Sequence, residues 1–266
     1  MKHADSHSTL IRKQTLVTRI THWTWAVSMF FLLTTGLQIF NAHPILYLGD
    51  QSGFEFNNAV LSIGSDEERG VSTIFGVSFD TTGLFGFSEG EARAFPTWAT
   101  IPSYTDLATG RVIHFFFAWI FVITIILWAI SGLVTGHLRR NLLPTKEDLK
   151  SFGADLRDHL RFKFHHTKTY GPLQKFTYAL VLFGLFPLII ATGFAMSPGL
   201  NAAFPWLAEI LGGRQTARTL HFVAASLLVL FFLVHILMVV LAGPINEMRS
   251  IITGWYRIDE GETDVR

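Results

Sequence analysis

The stretch from Arg218 to Ala242 reads RTLHFVAASLLVLFFLVHILMVVLA. After Arg218 it holds no Asp, Glu, Lys or Arg. At about 1.5 Å of rise per residue, about 20 apolar residues cross a bilayer, so this stretch predicts a membrane-spanning helix. Two histidines interrupt it, His221 and His235. They lie 14 residues apart. At about 100° per residue they return to within about 40° of one face, about 21 Å apart along the axis.

Working outward, three more stretches have the same character: about 20–40, 112–135 and 173–196, with 219–242 the fourth. Lys175, at the mouth of the third, is the single charged residue among them. The composition agrees. Of 266 residues 50% are hydrophobic and 15% charged, and the mean hydropathy is +0.38. That profile is foreign to an ordinary soluble domain. The expected fold is all-α: an integral-membrane four-helix bundle, one membrane domain over 1–266, with a large extracytoplasmic loop between helices 1 and 2. Pro187 predicts a kink in the third span. Cysteine is absent, which excludes disulfides, thiolate metal sites, cysteine-ligated iron–sulfur clusters and covalently attached c-type haem.

Charge along the chain sets an orientation. Residues 1–19 hold four basic residues and one acid, and the 137–170 connector holds eight and four. The 41–108 connector holds two Arg against nine acids, a net of −7. The positive-inside rule then places both termini and 137–170 in the cytoplasm, and 41–108 outside. That outer segment is long for a connection and rich in aromatics (Phe54, Phe56, Phe75, Phe79, Phe85, Phe87, Trp98), which predicts a folded cap and not a linker.

Four histidines fall within the spans: His22, His114, His221 and His235. Intramembrane ionisable residues point to function. With alternating helix directions, depth alone pairs His22 with His235 and His114 with His221. Two imidazoles with no other ligand suit six-coordinate b-type haem, an electron carrier with no open position for substrate. They make a poor tetrahedral zinc set. Arg19, Arg111 and Arg218 each stand three residues before one of these histidines, in R-x-x-H. One turn nearer the water, an arginine there can pair with a haem propionate or simply extend to the interface.

These features resemble the di-haem bacterial cytochrome b superfamily, which includes b561-type cytochromes, the cytochrome b of nickel–iron hydrogenases and the formate dehydrogenase gamma subunit. The resemblance is carried by His22-Trp23, His114 and the His221/His235 pair. Asn41–Tyr47, Phe95–Thr100, Gly136–Thr145, Met196–Leu200 and Gly212–Arg218 look most like the thiosulfate-reductase-type cytochrome b membrane-anchoring subunits. The resemblance implies two haem b groups, a soluble periplasmic partner, typically a molybdopterin oxidoreductase, and exchange with the quinone pool. It also implies a multi-pass protein of the bacterial inner membrane, an electron-transfer anchor more than a catalyst, with no nucleic-acid partner. The formate dehydrogenase gamma subunit has Y-N-x-x-Q-K near its quinone. Here the stretch reads Tyr170-Gly171-Pro-Leu-Gln174-Lys175, with glycine in place of the asparagine. A stand-alone b561-type superoxide:quinone oxidoreductase shares the haem ligands and is the rival reading.

Overall fold

A computed structural model describes residues 8–53, 55–136, 138–161 and 171–259. Four helical stretches are long and apolar enough to cross a membrane: Leu16–Asn41, Leu107–Val134, Pro172–Met196 and Arg214–Leu241. Three begin several residues before the sequence expectation, because polar first turns extend beyond the apolar run. Helices α1 (Leu16–Asn41), α2 (Leu107–Val134) and α8 (Arg214–Leu241) are continuous. The third stretch is not. It runs as α4 (Pro172–Ala179), a π-helical segment Leu180–Leu185, and α5 (Phe186–Met196). Pro187 lacks an N–H and would press on the carbonyl one turn back. A wider π turn just before it relieves that clash and supplies the predicted irregularity.

The fold is not all-α, which corrects the sequence expectation. Short strands occur at both ends of the chain and throughout the 41–108 loop. Two of the turns within that loop rest on Phe75-Gly76 and Glu89-Gly90, each with two positive φ angles. Two such residues make the turn type that joins twisted hairpin strands. Phe and Glu are unusual in its first position, so the hairpins carry little sequence signal.

The chain forms two compact units. The first comprises residues 1–24, 124–184 and 228–266. In it β1 (Ser8–Arg12) pairs antiparallel with β8 (Trp255–Asp259). Lys13 lies 4.0 Å over the Tyr256 ring and 3.9 Å from Glu247. Burial pulls the Lys13 ammonium below its ordinary pKa, and Glu247 partly offsets this. Asn246 of α9 (Pro244–Thr253) brackets Arg257 with two backbone hydrogen bonds of 2.8 and 2.9 Å. After α2, a π-helical turn at Leu138–Leu142 leads into α3 (Lys146–Leu160). The Thr145 hydroxyl accepts from the Asp148 N–H, and the Asp148 carboxylate accepts from the Thr145 N–H. This reciprocal box starts α3.

The second unit comprises residues 25–123 and 185–227. Its cap is a four-stranded antiparallel sheet in sequence order: β2 (Ile45–Tyr47), β3 (Ala59–Asp66), β4 (Arg69–Ile74) and β5 (Val77–Asp80). A separate hairpin joins β6 (Gly86–Ser88) to β7 (Glu91–Arg93). Phe40 from the end of α1 is buried with Leu46, Ile63, Ala94 and Phe95 of the cap, and Phe222 of α8 packs against them. The cap is also bonded to the first turns of α8. Thr219 donates to the Tyr47 carbonyl at 2.7 Å, and the Gly49 N–H donates to Thr216 at 2.7 Å. The Arg214 N–H donates to Asp50 at 3.1 Å, satisfying a donor that a helix start leaves open. Two short helices, α6 (Pro198–Ala203) and α7 (Trp206–Ile210), fill the connection from α5 to α8.

Candidate haem-ligand pairs

The four span histidines form two pairs, one within each unit. In the first unit His22 of α1 faces His235 of α8, with ring centroids 6.3 Å apart. In the second unit His114 of α2 faces His221 of α8 at 6.4 Å. Among the described residues no group of three or more His, Asp or Glu gathers for a metal. An iron–imidazole bond is about 2.0 Å, and the ring centre lies about 1.1 Å beyond the nitrogen. Two imidazoles on opposite faces of one iron therefore place their centroids about 6.2 Å apart. Both pairs fit that spacing, which is too wide for ring stacking and too wide for a direct N···N hydrogen bond between rings held centre to centre.

The second pair is oriented by hydroxyls. Thr35 of α1 lies 3.0 Å from Nδ1 of His114, and Thr192 of α5 lies 3.0 Å from Nδ1 of His221. Each hydroxyl has one proton, which is directed at its own helix: Thr35 to the Phe31 carbonyl at 2.5 Å, Thr192 to the Leu188 carbonyl at 2.7 Å. Each must then accept from the histidine, which assigns the proton to Nδ1 and leaves the Nε2 lone pair free for a metal. The adjacent Gly36 and Gly193 let the rings approach. A Cβ at either would lie 3.5 Å from the Cε1 of His114 or His221. Thr35-Gly36 and Thr192-Gly193 thus play the same part on two helices. The sequence reading missed both threonines. Thr-Gly occurs six times in the chain, so the dipeptide by itself does not mark them.

The first pair is held differently. Nδ1 of His22 is buried with no hydrogen-bond partner among the described residues, and so is Nε of Arg19, one turn away. The Arg19 guanidinium also donates to the Ile252 carbonyl. An unpartnered ring nitrogen and an orphaned guanidinium donor beside a histidine pair suit a cofactor that carries its own acceptors.

The other candidate residues divide. Arg218 donates to the backbone carbonyls of His43 and Ile45, the latter at 2.8 Å, and lies 5.5 Å over the Phe40 ring. It therefore fastens cap to helix. His43 is held below its ordinary pKa by burial and by the Arg218 charge. Arg111 is exposed and sits 5.7 Å over the Phe115 ring. Gly171 and Gln174 form the start of α4, where the Gly171 N–H donates to the Gln174 side chain at 3.2 Å. Lys175 makes hydrogen bonds of 3.0 and 2.9 Å to the two oxygens of Asp148. Tyr170 lies outside the described residues, as do His137, His165 and His166.

The sequence profile of a family described as prokaryotic cytochrome b561 matches residues 13–254. A relative from Azospira oryzae, named as the YedZ1 subunit of a protein-methionine-sulfoxide reductase, is 32% identical over 130 residues. The match takes in 48% of this chain and 63% of the relative, so the chain spans less than two thirds of that protein's length.

Proposed function

The chain belongs to the prokaryotic cytochrome b561 family, and from that premise we propose that it is a di-haem membrane subunit linking a soluble oxidoreductase to the quinone pool. Membership itself makes it an integral-membrane b-type cytochrome of electron transport. The two-haem count rests on one observation: two histidine pairs, each at the spacing of bis-imidazole ligation. His22 and His235 would hold one haem, and His114 and His221 the other. Bound there, haem supplies one-electron transfer. The protein fixes ligand tautomer at one site through Thr35 and Thr192. At the other, Arg19 offers a buried donor for a propionate. Helix α8 carries one ligand of each pair, 14 residues apart in sequence.

A soluble partner is favoured over a stand-alone superoxide oxidase. The name of the Azospira relative describes a subunit of a protein-methionine-sulfoxide reductase, and a molybdopterin-dependent partner at the outer face agrees with the sequence resemblance. The folded cap bonded to the start of α8 offers a protein such a docking platform, whereas a small diffusible substrate has no need of one. The location proposed is the bacterial inner membrane, with both termini cytoplasmic.

Haem extraction and a reduced-minus-oxidised spectrum of the purified full chain test the count. Two haems per chain are expected, and His235→Ala should lose one and keep the other. One haem per wild-type chain would sink the two-haem reading. Co-purification of a soluble redox subunit tests the partner, whereas superoxide-driven quinone reduction by the isolated chain would support the rival.

A further inference from the structure

Helix α3 stands between two spans, α2, which ends at Val134, and the stretch that opens at Pro172. Three contacts tie it to the start of α4. The Asp148 carboxylate accepts from Lys175, and Asp155 accepts from the Leu173 N–H at 2.8 Å. Between them the Phe152 ring meets Phe176 edge-on, with centroids 5.0 Å apart. About 10 Å of α3 is thus set against about one turn of α4, so α3 lies across the mouth of the third span and not alongside it. A span stands near the bilayer normal, and a helix across its mouth runs along the membrane surface.

We infer that α3 is an interfacial helix whose open face binds anionic phospholipid. At about 100° per residue, Leu149, Leu156, Gly153, Lys146, Arg157 and Lys150 share one arc of about 120°. Both leucines and all three cations are exposed. The arc contains no acid: Asp148 and Asp155 turn to α4, and Glu147 stands about 160° from Leu149. Leucines at one edge of an arc and cations at the other suit a surface with acyl chains below and phosphates above. Lysine and arginine stems can lie along the apolar layer while their charges reach the phosphates. The core of a protein interface is depleted in charge, which disfavours a protein partner on this face.

Helix α9, three residues beyond the end of α8, is inverted in the same way. Its polar residues turn to the protein: Glu247 lies by Lys13, Asn246 bonds Arg257, and Ser250 is buried. Its apolar residues Ile245, Met248 and Ile252 are exposed and share one face. A helix facing water would show the reverse. Trp255, which follows, is exposed as well, a residue type common at the membrane interface.

The chain has no cysteine, so a nitroxide can be placed at one position at a time in the haem-loaded full chain. In phosphatidylcholine–phosphatidylglycerol vesicles, labels at Leu149→Cys and Leu156→Cys should meet dissolved oxygen more readily than a water-soluble nickel chelate. A label at Ser151→Cys, on the far side of the helix, should show the opposite. Nickel access at 149 and 156 equal to that at 151 would overturn the interfacial placement. Spin–spin broadening that vanishes on dilution with unlabelled chain would make the face a contact between two copies and would also overturn it. The second arm compares spin-labelled phosphatidylglycerol with spin-labelled phosphatidylcholine at the protein surface. Lys150→Gln/Arg157→Gln should lower the preference for phosphatidylglycerol about threefold or more, and an unchanged preference would overturn the anionic assignment. Haem content should match wild type throughout. Gly153→Cys, where nothing lies within 4 Å of an added Cβ, replaces a leucine variant that loses haem, and Lys146→Gln replaces either charge change.

Discussion

Two threonine hydroxyls decide which nitrogen of His114 and of His221 is free to bind a metal. Thr35→Val and Thr192→Val keep the side-chain volume and remove the acceptor, so each ring loses the bond that fixes its tautomer. Each variant should weaken haem retention at that pair roughly 10- to 100-fold and change its low-spin electron paramagnetic resonance signal. The His22/His235 signal should stay as it is, and Thr→Ser at either position should restore wild-type behaviour. Equal loss at both pairs would show a general packing defect instead. At this scale the sequence was partly legible. The four histidines stood out because an ionisable ring is costly in an apolar run. The threonines did not, because a hydroxyl in a helix ordinarily bonds its own backbone, and these two do that as well. The arginines of R-x-x-H looked alike in sequence. The structure separates them into a cap fastener (Arg218), an exposed flank (Arg111) and a buried donor beside His22 (Arg19).

At the scale of elements, the buried pair Asp148–Lys175 ties α3 to α4. Burial pushes the Asp148 carboxyl upward, but hydrogen bonds from Thr145 and the Lys175 ammonium outweigh it and hold its pKa below the ordinary value. A depressed carboxyl stabilises the fold above its unfolded pKa of about 3.9 and loses that contribution as pH falls through the lower folded value. The α3–α4 contact should therefore be insensitive to pH from 5 to 8 and loosen only in strong acid, as followed by limited proteolysis between 138 and 171. Asp148→Asn leaves a buried ammonium uncompensated and should cost about 3 kcal/mol in thermal unfolding. The double variant Asp148→Asn/Lys175→Met should recover most of it. In the cap, a Cβ at Gly70 would lie 2.0 Å from the Phe85 carbonyl oxygen, and one at Gly86 would lie 2.1 Å from that of Gly64. Gly70→Ala should destabilise the cap by about 3 kcal/mol, seen as faster cleavage within 41–108. Helices were legible because their apolar runs are long. The strands were not, since they are three to eight residues each and two of their turns are Phe-Gly and Glu-Gly.

For the whole molecule, the proposed orientation and the shared side of the two ends rest on separate arguments. The proposal that both termini are cytoplasmic rests on the charge count. The ladder between Ser8–Arg12 and Trp255–Asp259 requires both ends to share one side, whichever side that is. A fluorescent protein that matures only in the cytoplasm should thus glow when fused to either terminus. One glowing and one dark fusion would contradict the ladder, whereas two dark ones would reverse the orientation and leave the ladder intact. The same pairing has a bearing on how the protein is made. A ribosome releases β1 early, together with the α1 turn that bears His22, but the strand that completes this ladder emerges only after α8 and α9. The Lys13 and Gln14 N–H groups, which donate to the Gly254 carbonyl, wait for the same late segment. His114 has its orienting threonine from α1 as soon as α2 is inserted, and His221 finds its own already in place on α5. Haem delivery should then follow a schedule, with the proposed His114/His221 site ready as α8 enters the membrane and the proposed His22/His235 site ready only after Trp255–Asp259 has left the ribosome.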